Sequence, residues 1–248
     1  MPSSALAGSR IRGVGMTFNP AKRPLLLDLY CCAGGGAMGY HKAGFEVVGV
    51  DHKPQPYYPF EFIQADVLTT LDTLLHCHLR DYSLRDFAAI HASPPCQAFT
   101  VYGNNKAHVR NDHPDLVEPT RVRLEKTRLP WVIENVPGAP LVNPIQLCGT
   151  SFGIPVRRHR LFESNVELSA PECDHGRFKD QVYPGSTNRP NGRTVANIGE
   201  YRVPLDEQRR CMQIDWMPLA EISQAIPPAF TEHIGRQLLA HLRTEEPS

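Results

Sequence analysis

The chain reads as an α/β protein built on a doubly wound, mostly parallel sheet. Three observations predict this. Apolar runs such as Leu25-Leu26-Leu27-Asp28-Leu29 and Phe87-Ala88-Ala89-Ile90 have the composition of strands covered on both faces. The first run opens the order strand, glycine turn, helix, strand, acid, which is the layout of a nucleotide-binding βαβ unit. The length of 248 residues suits one such domain with a small insertion, and a hydrophobic fraction of 41% is enough for a real core.

The elements follow in order. Residues 1–23 carry Ser, Gly, Arg and Pro without periodicity and read as a loose N-terminal arm. Leu25–Leu29 is the first strand, and Gly34-Gly35-Gly36 is the turn after it. A helix is predicted from Ala37 to Gly44, where glycine stops it. Glu46–Asp51 is the second strand. A third, near Phe60 to Gln64, ends just before Asp66, and a helix follows from Thr69 to His78. The strand opening at Phe87 runs into Ala92-Ser93-Pro94-Pro95-Cys96-Gln97. Residues 97–113 read as a mobile loop, Pro114 to Thr127 as a helix, and Trp131–Asn135 as a strand. Later strands are predicted at Leu147-Cys148 and Arg160-Leu161-Phe162. From 164 to 203 periodicity fades, and the segment reads as a floppy insertion or a small recognition module. Leu205 to Met212 is helical, and Pro218 opens another helix at its first turn. Phe230, Ile234, Leu238 and Leu242 recur at four-residue spacing in a closing amphipathic helix. The predicted organisation is an arm (1–23), a main domain (24–163), an irregular region (164–203) and returning helices (204–248).

Composition narrows the function classes. Formal net charge is zero, so any contact with nucleic acid must come from a local basic patch. Most of the cations are arginine, which suits phosphate and guanine recognition, as a GC-rich genome would also give. Seven cysteines without regular spacing, and no apolar leader before Pro24, predict reduced thiols in a cytoplasm. No stretch approaches 18 apolar residues, so no membrane span is expected. His76-Cys77-His78 and Cys173 with His175 lack a paired C-x-x-C spacing, and no metal is expected.

The chemistry lies at strand ends. A strand running into Pro94-Pro95-Cys96 presents one thiol on a stiff turn, because proline fixes φ. Glycines at a helix N-terminus let a charged cofactor approach backbone amides. Asp51 sits where an acid holds ribose hydroxyls, and Asp66 can accept from an adenine amino group. Glu134 ends another strand. A thiol beside a carboxyl group, with no histidine in register, suits attack on an electron-poor ring. Arg157, Arg158, His159 and Arg160 read as a phosphate and carbonyl clamp.

Taken in order, these motifs resemble those of the cytosine-C5 DNA methyltransferases, especially compact bacterial and bacteriophage members, from Leu25 to Leu242. Asp28-Leu29-Tyr30 through Gly35 is similar to the family's cofactor turn, Val50-Asp51 to its ribose acid, and Ala65-Asp66-Val67 to its adenine acid. Pro94 through Thr100 resembles the nucleophile loop, Trp131 through Gly138 the Glu-Asn-Val motif, and Arg158-His159-Arg160 the arginine pair. Ala225 through Ala229 resembles the segment that completes the cofactor pocket. Three positions depart from the pattern. Cys32 stands where a glycine is usual, and its Cβ disfavours φ > 0. Val156 replaces a glutamine and Gln224 an asparagine.

The resemblance implies S-adenosylmethionine as methyl donor, the methyltransferase form of the Rossmann-like fold, and double-stranded DNA as partner of a monomer. It implies catalytic roles for Cys96, Glu134, Arg158 and Arg160. It implies cofactor contacts from Asp28, Tyr30, Cys31, Ala33, Gly34, Gly35, Asp51, Asp66, Pro94, Gln224 and Ala225. DNA contacts are expected from Gln97, Arg157, Arg177, Arg189 and Arg193, with residues 164–203 as a short target-recognition region. Three rival readings are a transfer-RNA methyltransferase, a silent DNA-binding relative, and an NAD-type oxidoreductase. The last lacks G-x-G-x-x-G and leaves Pro94-Pro95-Cys96-Gln97 unexplained.

Overall fold

The computed structural model describes residues 22–99, 114–176 and 204–244. Nearly all of the predicted arm, residues 100–113 of the predicted loop and residues 177–203 of the recognition region lie outside the described residues.

Among the described residues, seven strands form one sheet: β1 (Leu25–Leu29), β2 (Glu46–Asp51), β3 (Glu61–Gln64), β4 (Phe87–Ala92), β5 (Trp131–Asn135), β6 (Ile145–Cys148) and β7 (His159–Ser164). Their order is β3-β2-β1-β4-β5-β7-β6. The first five are parallel, and β7 runs antiparallel to both β5 and β6. The helices are α1 (Gly35–Ala43), α2 (Val67–His76), α3 (Val117–Thr127), α4 (Leu205–Met212), α5 (Leu219–Ile222) and α6 (Pro228–Thr244).

The apolar runs form strands because both of their faces are covered. Successive side chains on a strand point to opposite faces. Leu26, Val47, Ala89 and Val132 therefore pack with Tyr40, Phe45, Phe230 and Ile234 on the side of α1 and α6. Leu27, Val48, Ile90 and Ile133 pack with Val67, Leu71 and Leu124 on the side of α2 and α3. Each fully buried leucine contributes about 2 kcal/mol. Helices α1 and α6 cross closely. A Cβ on Gly39 would lie 2.1 Å from the Pro228 carbonyl oxygen, and one on Gly235 would lie 2.7 Å from the Ala43 Cβ. The Thr231 hydroxyl closes the contact by donating to the Gly36 carbonyl at 2.8 Å. Arg121 ties α3 to β7 through a buried two-pronged bond to Glu163, at 2.6 and 2.8 Å.

Several boundaries differ from the sequence expectation. Helix α1 begins at Gly35 rather than Ala37, with Gly34 at its N-cap in the left-handed region (φ 82°). Glycine's poor helix propensity had read as turn. Helix α2 begins at Val67 and stops at His76, so His76-Cys77-His78 does not lie within one helix. Helix α3 begins at Val117, three residues later than expected, where Asp115 accepts from the Val117 amide at 2.9 Å. Among the described residues no helix is long and apolar enough to cross a membrane.

Candidate active site

The sheet reverses its winding between β1 and β4, and the carboxyl ends of strands at such a switch point open a crevice. A cleft of about 240 Å³ lies there, lined from the ends of β1, β2, β4 and β5 and by the segment around α5.

One half of the cleft is the turn after β1. Tyr30 (φ 57°), Cys32 (φ 46°) and Gly34 (φ 82°) all take the left-handed region, coiling the backbone tightly before α1. Two of these carry a Cβ, at a cost of about 1–2 kcal/mol each. Neighbours hold the coil in place. The Asp51 carboxylate accepts from the Cys32 amide at 3.2 Å and the Lys53 amide at 3.0 Å. The Tyr30 hydroxyl is bonded to Thr120 Oγ1 at 2.9 Å, and Trp216 Nε1 donates to the Ala33 carbonyl at 2.9 Å. Beneath the turn, burial pushes the Asp28 carboxyl up to about 7, with the Tyr58 hydroxyl donating to it at 3.1 Å. Gly35 is required here for close approach, since a Cβ would lie 2.6 Å from the Ile226 carbonyl oxygen.

The other half gathers reactive groups. Asn135 Nδ2 donates to the Pro94 carbonyl at 2.9 Å and ties the Pro94-Pro95-Cys96 turn to the end of β5. Cys96 is half-buried. Burial pushes its thiol up, Arg160 and Arg158 pull it down, and Glu134 adds to the rise. Glu134 is buried and paired with Arg160 Nε at 3.0 Å. Burial still raises its carboxyl above the usual range, against the opposing pull of Arg160, Ser93 and Arg158. Ser93 donates to Glu134 and is bonded to His91 Nε2 at 2.9 Å. His91 Nδ1 meets the Tyr40 hydroxyl at 2.9 Å. Burial lowers His91 to about 3, so the ring is neutral. A proton on Nε2 then satisfies both bonds, giving a hydrogen-bonded chain from Tyr40 through His91 and Ser93 to Glu134.

No family model matches the chain. The Type II methyltransferase M.XorII of Xanthomonas oryzae pv. oryzae is 26% identical over 223 residues, which cover 86% of this chain. The chain spans 44% of that relative's length. Among solved structures, an E. coli prophage protein assigned as a DNA modification methyltransferase aligns over 90% of this chain and all of its own (TM-score 0.60, 14% identity). The methyltransferase EhMeth of Entamoeba histolytica aligns over 89% of this chain and 99% of its own (TM-score 0.52, 13% identity). The S. pombe Dnmt2 methyltransferase does so over the same shares (TM-score 0.51, 14% identity). The chain is similar in sequence to a DNA methyltransferase and shares its fold with others. Its fold is the Rossmann-like fold of S-adenosylmethionine-dependent methyltransferases, and S-adenosylmethionine is the cofactor that this relationship indicates. The cleft suits that cofactor: it joins a glycine turn, the Asp51 carboxylate and the side chains of Met217 and Ile226.

Against this methyltransferase fold, the residues singled out in the sequence distribute as follows. Asp28, Tyr30, Cys31, Ala33, Gly35, Asp51, Pro94, Cys96, Gln97, Glu134, Arg160, Gln224 and Ala225 all line the cleft. Gly34 shapes the turn without lining it. Asp66 does not line it either; it is exposed at the N-cap of α2, where its Oδ1 accepts from the Thr69 amide and hydroxyl at 2.8 Å. Arg158 does not line the cleft, although its charge acts on Cys96 and Glu134; it donates to the Ser223 carbonyl at 2.7 Å, a strut between the start of β7 and the segment bearing Gln224. Burial and Arg160 lower it to about 9. Arg157 is exposed and donates to the His175 carbonyl at 3.1 Å. Arg177, Arg189 and Arg193 lie outside the described residues. Four further residues at the cleft were assigned no role from the sequence. His91 and Ser93 are the relay, Asn135 is the tie and Trp216 is the brace. Ser93 and Asn135 fall within motifs the sequence marked, a histidine inside an otherwise apolar strand was a signal for His91, and nothing in the sequence pointed to Trp216.

Proposed function

We propose that this protein transfers a methyl group from S-adenosylmethionine to carbon 5 of cytosine in double-stranded DNA. The observation that carries the reading is the meeting of Cys96 and the Glu134–Arg160 pair in one cleft with the glycine turn and Asp51. Asp51 and the amides of the turn would hold the cofactor. When bound, it supplies an electrophilic methyl group on a sulfonium. Cytosine inside a duplex is out of reach, so the base must be turned out into the cleft. The Cys96 thiol gives up its proton to solvent, and the thiolate adds to carbon 6, which breaks the ring's aromaticity and makes carbon 5 nucleophilic. Glu134, with its raised carboxyl, donates to ring nitrogen N3 and accepts from the N4 amino group, stabilising the enamine. Arg160 holds Glu134 and donates to O2. After carbon 5 is methylated, a base removes its proton and Cys96 is expelled. Arg158 acts by positioning the Gln224 segment rather than by touching the base.

Bisulfite sequencing of DNA from cells expressing the protein tests this reading. Protected cytosines in a fixed context are expected. Unprotected DNA, with methylated cytosine found instead in RNA from the same cells, would overturn the DNA assignment.

A further inference from the structure

Four potential ligand atoms meet at the far edge of the sheet, and none of their residues lines the cleft. Cys148 ends β6 and His159 begins β7, and the two are register partners on the antiparallel pair. The segment after β7 returns to bring Cys173 and His175 over them. The Cys148 Sγ lies 3.5 Å from His175 Nε2, and the Cys173 Sγ lies 3.6 Å from His159 Nε2. The two Nε2 atoms are 3.3 Å apart. All four ligand atoms fall within 4.8 Å of one another.

These distances have a simple geometric meaning. Two thiolates at about 2.3 Å and two imidazole nitrogens at about 2.0–2.1 Å from a tetrahedral centre give S–N edges of about 3.6 Å and an N–N edge of about 3.3 Å. Hydrogen bonding accounts for the cluster less well. A neutral imidazole nitrogen offers one proton or one lone pair. Yet each Nε2 faces both a sulfur and the other Nε2.

We propose that Cys148, His159, Cys173 and His175 bind one zinc ion in a closed, structural, tetrahedral site. Two thiolates balance the ion's charge, and four protein ligands leave no position for a reacting group. Each thiol gives up its proton to solvent as it ligates. The ion fastens the segment after β7, which forms no helix or strand from 165 to 176, onto the sheet edge. That segment leads directly into residues 177–203, which carry Arg177, Arg189 and Arg193. The zinc therefore anchors the base of the expected recognition region. The sequence spacing conceals the site, because two ligands come from a strand pair and only Cys173 and His175 are close along the chain.

The test is elemental analysis of the full chain, purified under reducing conditions without chelator. About one zinc per chain, retained through desalting, is expected. Replacing zinc by cobalt(II) in the parent protein should give the intense visible bands of tetrahedral cobalt and a thiolate-to-cobalt absorption. Cys173→Ser and His175→Ala should each lose most of the bound zinc while S-adenosylmethionine binding persists. The cobalt spectrum needs no variant to fold. Zinc below about 0.1 per chain, an octahedral cobalt spectrum, or a Cys148–Cys173 disulfide in the reduced-handling peptide map would each overturn the site. Full zinc content in both variants would place the ion elsewhere.

Discussion

Glu134 shows how burial and pairing share control of one carboxyl group. Water is excluded from it, which favours the neutral acid, and Arg160 at 3.0 Å favours the anion. Burial dominates, so the acid form persists to higher pH than for an ordinary glutamate. Glu134→Gln is expected to slow turnover by about 10²–10⁴, because an amide cannot donate the same proton. Single-turnover rates against pH check this: the parent should slow as pH rises through the raised pKa, and the variant should lose that limb. Cys96→Ser should abolish turnover while cofactor binding persists, since a hydroxyl is a far weaker nucleophile. DNA containing 5-fluorocytosine should trap the parent covalently and leave the variant free; trapping by the variant would assign the nucleophile elsewhere. Asp28 gives a stability prediction. Its folded pKa is about 7 against an ordinary 3.8, so between those values the folded protein holds a proton that the unfolded chain releases. Stability from this group is full at low pH and is lost as pH rises through that window, by on the order of 4 kcal/mol. Asp28→Asn should therefore raise Tm relative to the parent more at pH 8 than at pH 5. An equal effect at both pH values would mean that Asp28 ionises as freely folded as unfolded.

At the scale of elements, the cleft depends on close packing between units distant in sequence. Helix α6 lies on α1 at Gly39, and the Ile226 segment lies on Gly35. These two contacts close the glycine turn from behind and from above. Gly39→Ala would drive a methyl group to 2.0 Å from Thr231 Oγ1 and 2.1 Å from the Pro228 carbonyl. The backbone oxygen cannot swing away, so the helices must separate. Overpacking of this kind costs about 3 kcal/mol, or a Tm loss of roughly 6–12 °C for a chain of this size. Thermal unfolding of the variant checks it; a loss below about 2 °C would show that the crossing is loose. The Pro94-Pro95-Cys96 turn is held differently, by a side-chain bond from Asn135 to the Pro94 carbonyl. A strand residue thereby positions a loop at its neighbour's end.

For the whole molecule, the zero net charge means that the DNA affinity required by the proposed activity cannot come from a global field. It must come from local cations near the cleft and in residues 164–203. That region is short, and each base pair read directly needs a positioned side chain. A recognition site of about two to four base pairs is therefore expected. Arg189→Ala and Arg193→Ala should relax or abolish the sequence context in a bisulfite map. Unchanged context with weaker binding would make them phosphate contacts, and a strict site of six base pairs would sink the short-site expectation.

The linear sequence determined the parallel sheet and the line of groups along its carboxyl ends. Leu25–Leu29, Glu46–Asp51 and Trp131–Asn135 were legible because strands buried on both faces need uninterrupted apolar runs. Cys96 and Glu134 were legible because a sheet of this kind opens its crevice at strand ends. The start of α1 was not, since glycine at Gly35 and Gly36 serves packing against the Ile226 segment rather than helix propensity. The tertiary structure alone decided which basic residue faces the cleft. Arg158 and Arg160 are two apart in sequence, yet one braces the Ser223 carbonyl and the other pairs with Glu134. It alone joined His91 to Glu134 through Ser93, and Cys148 to His175. In each case the reason is the same: the partners lie on different elements, and only packing brings their polar atoms within bonding distance.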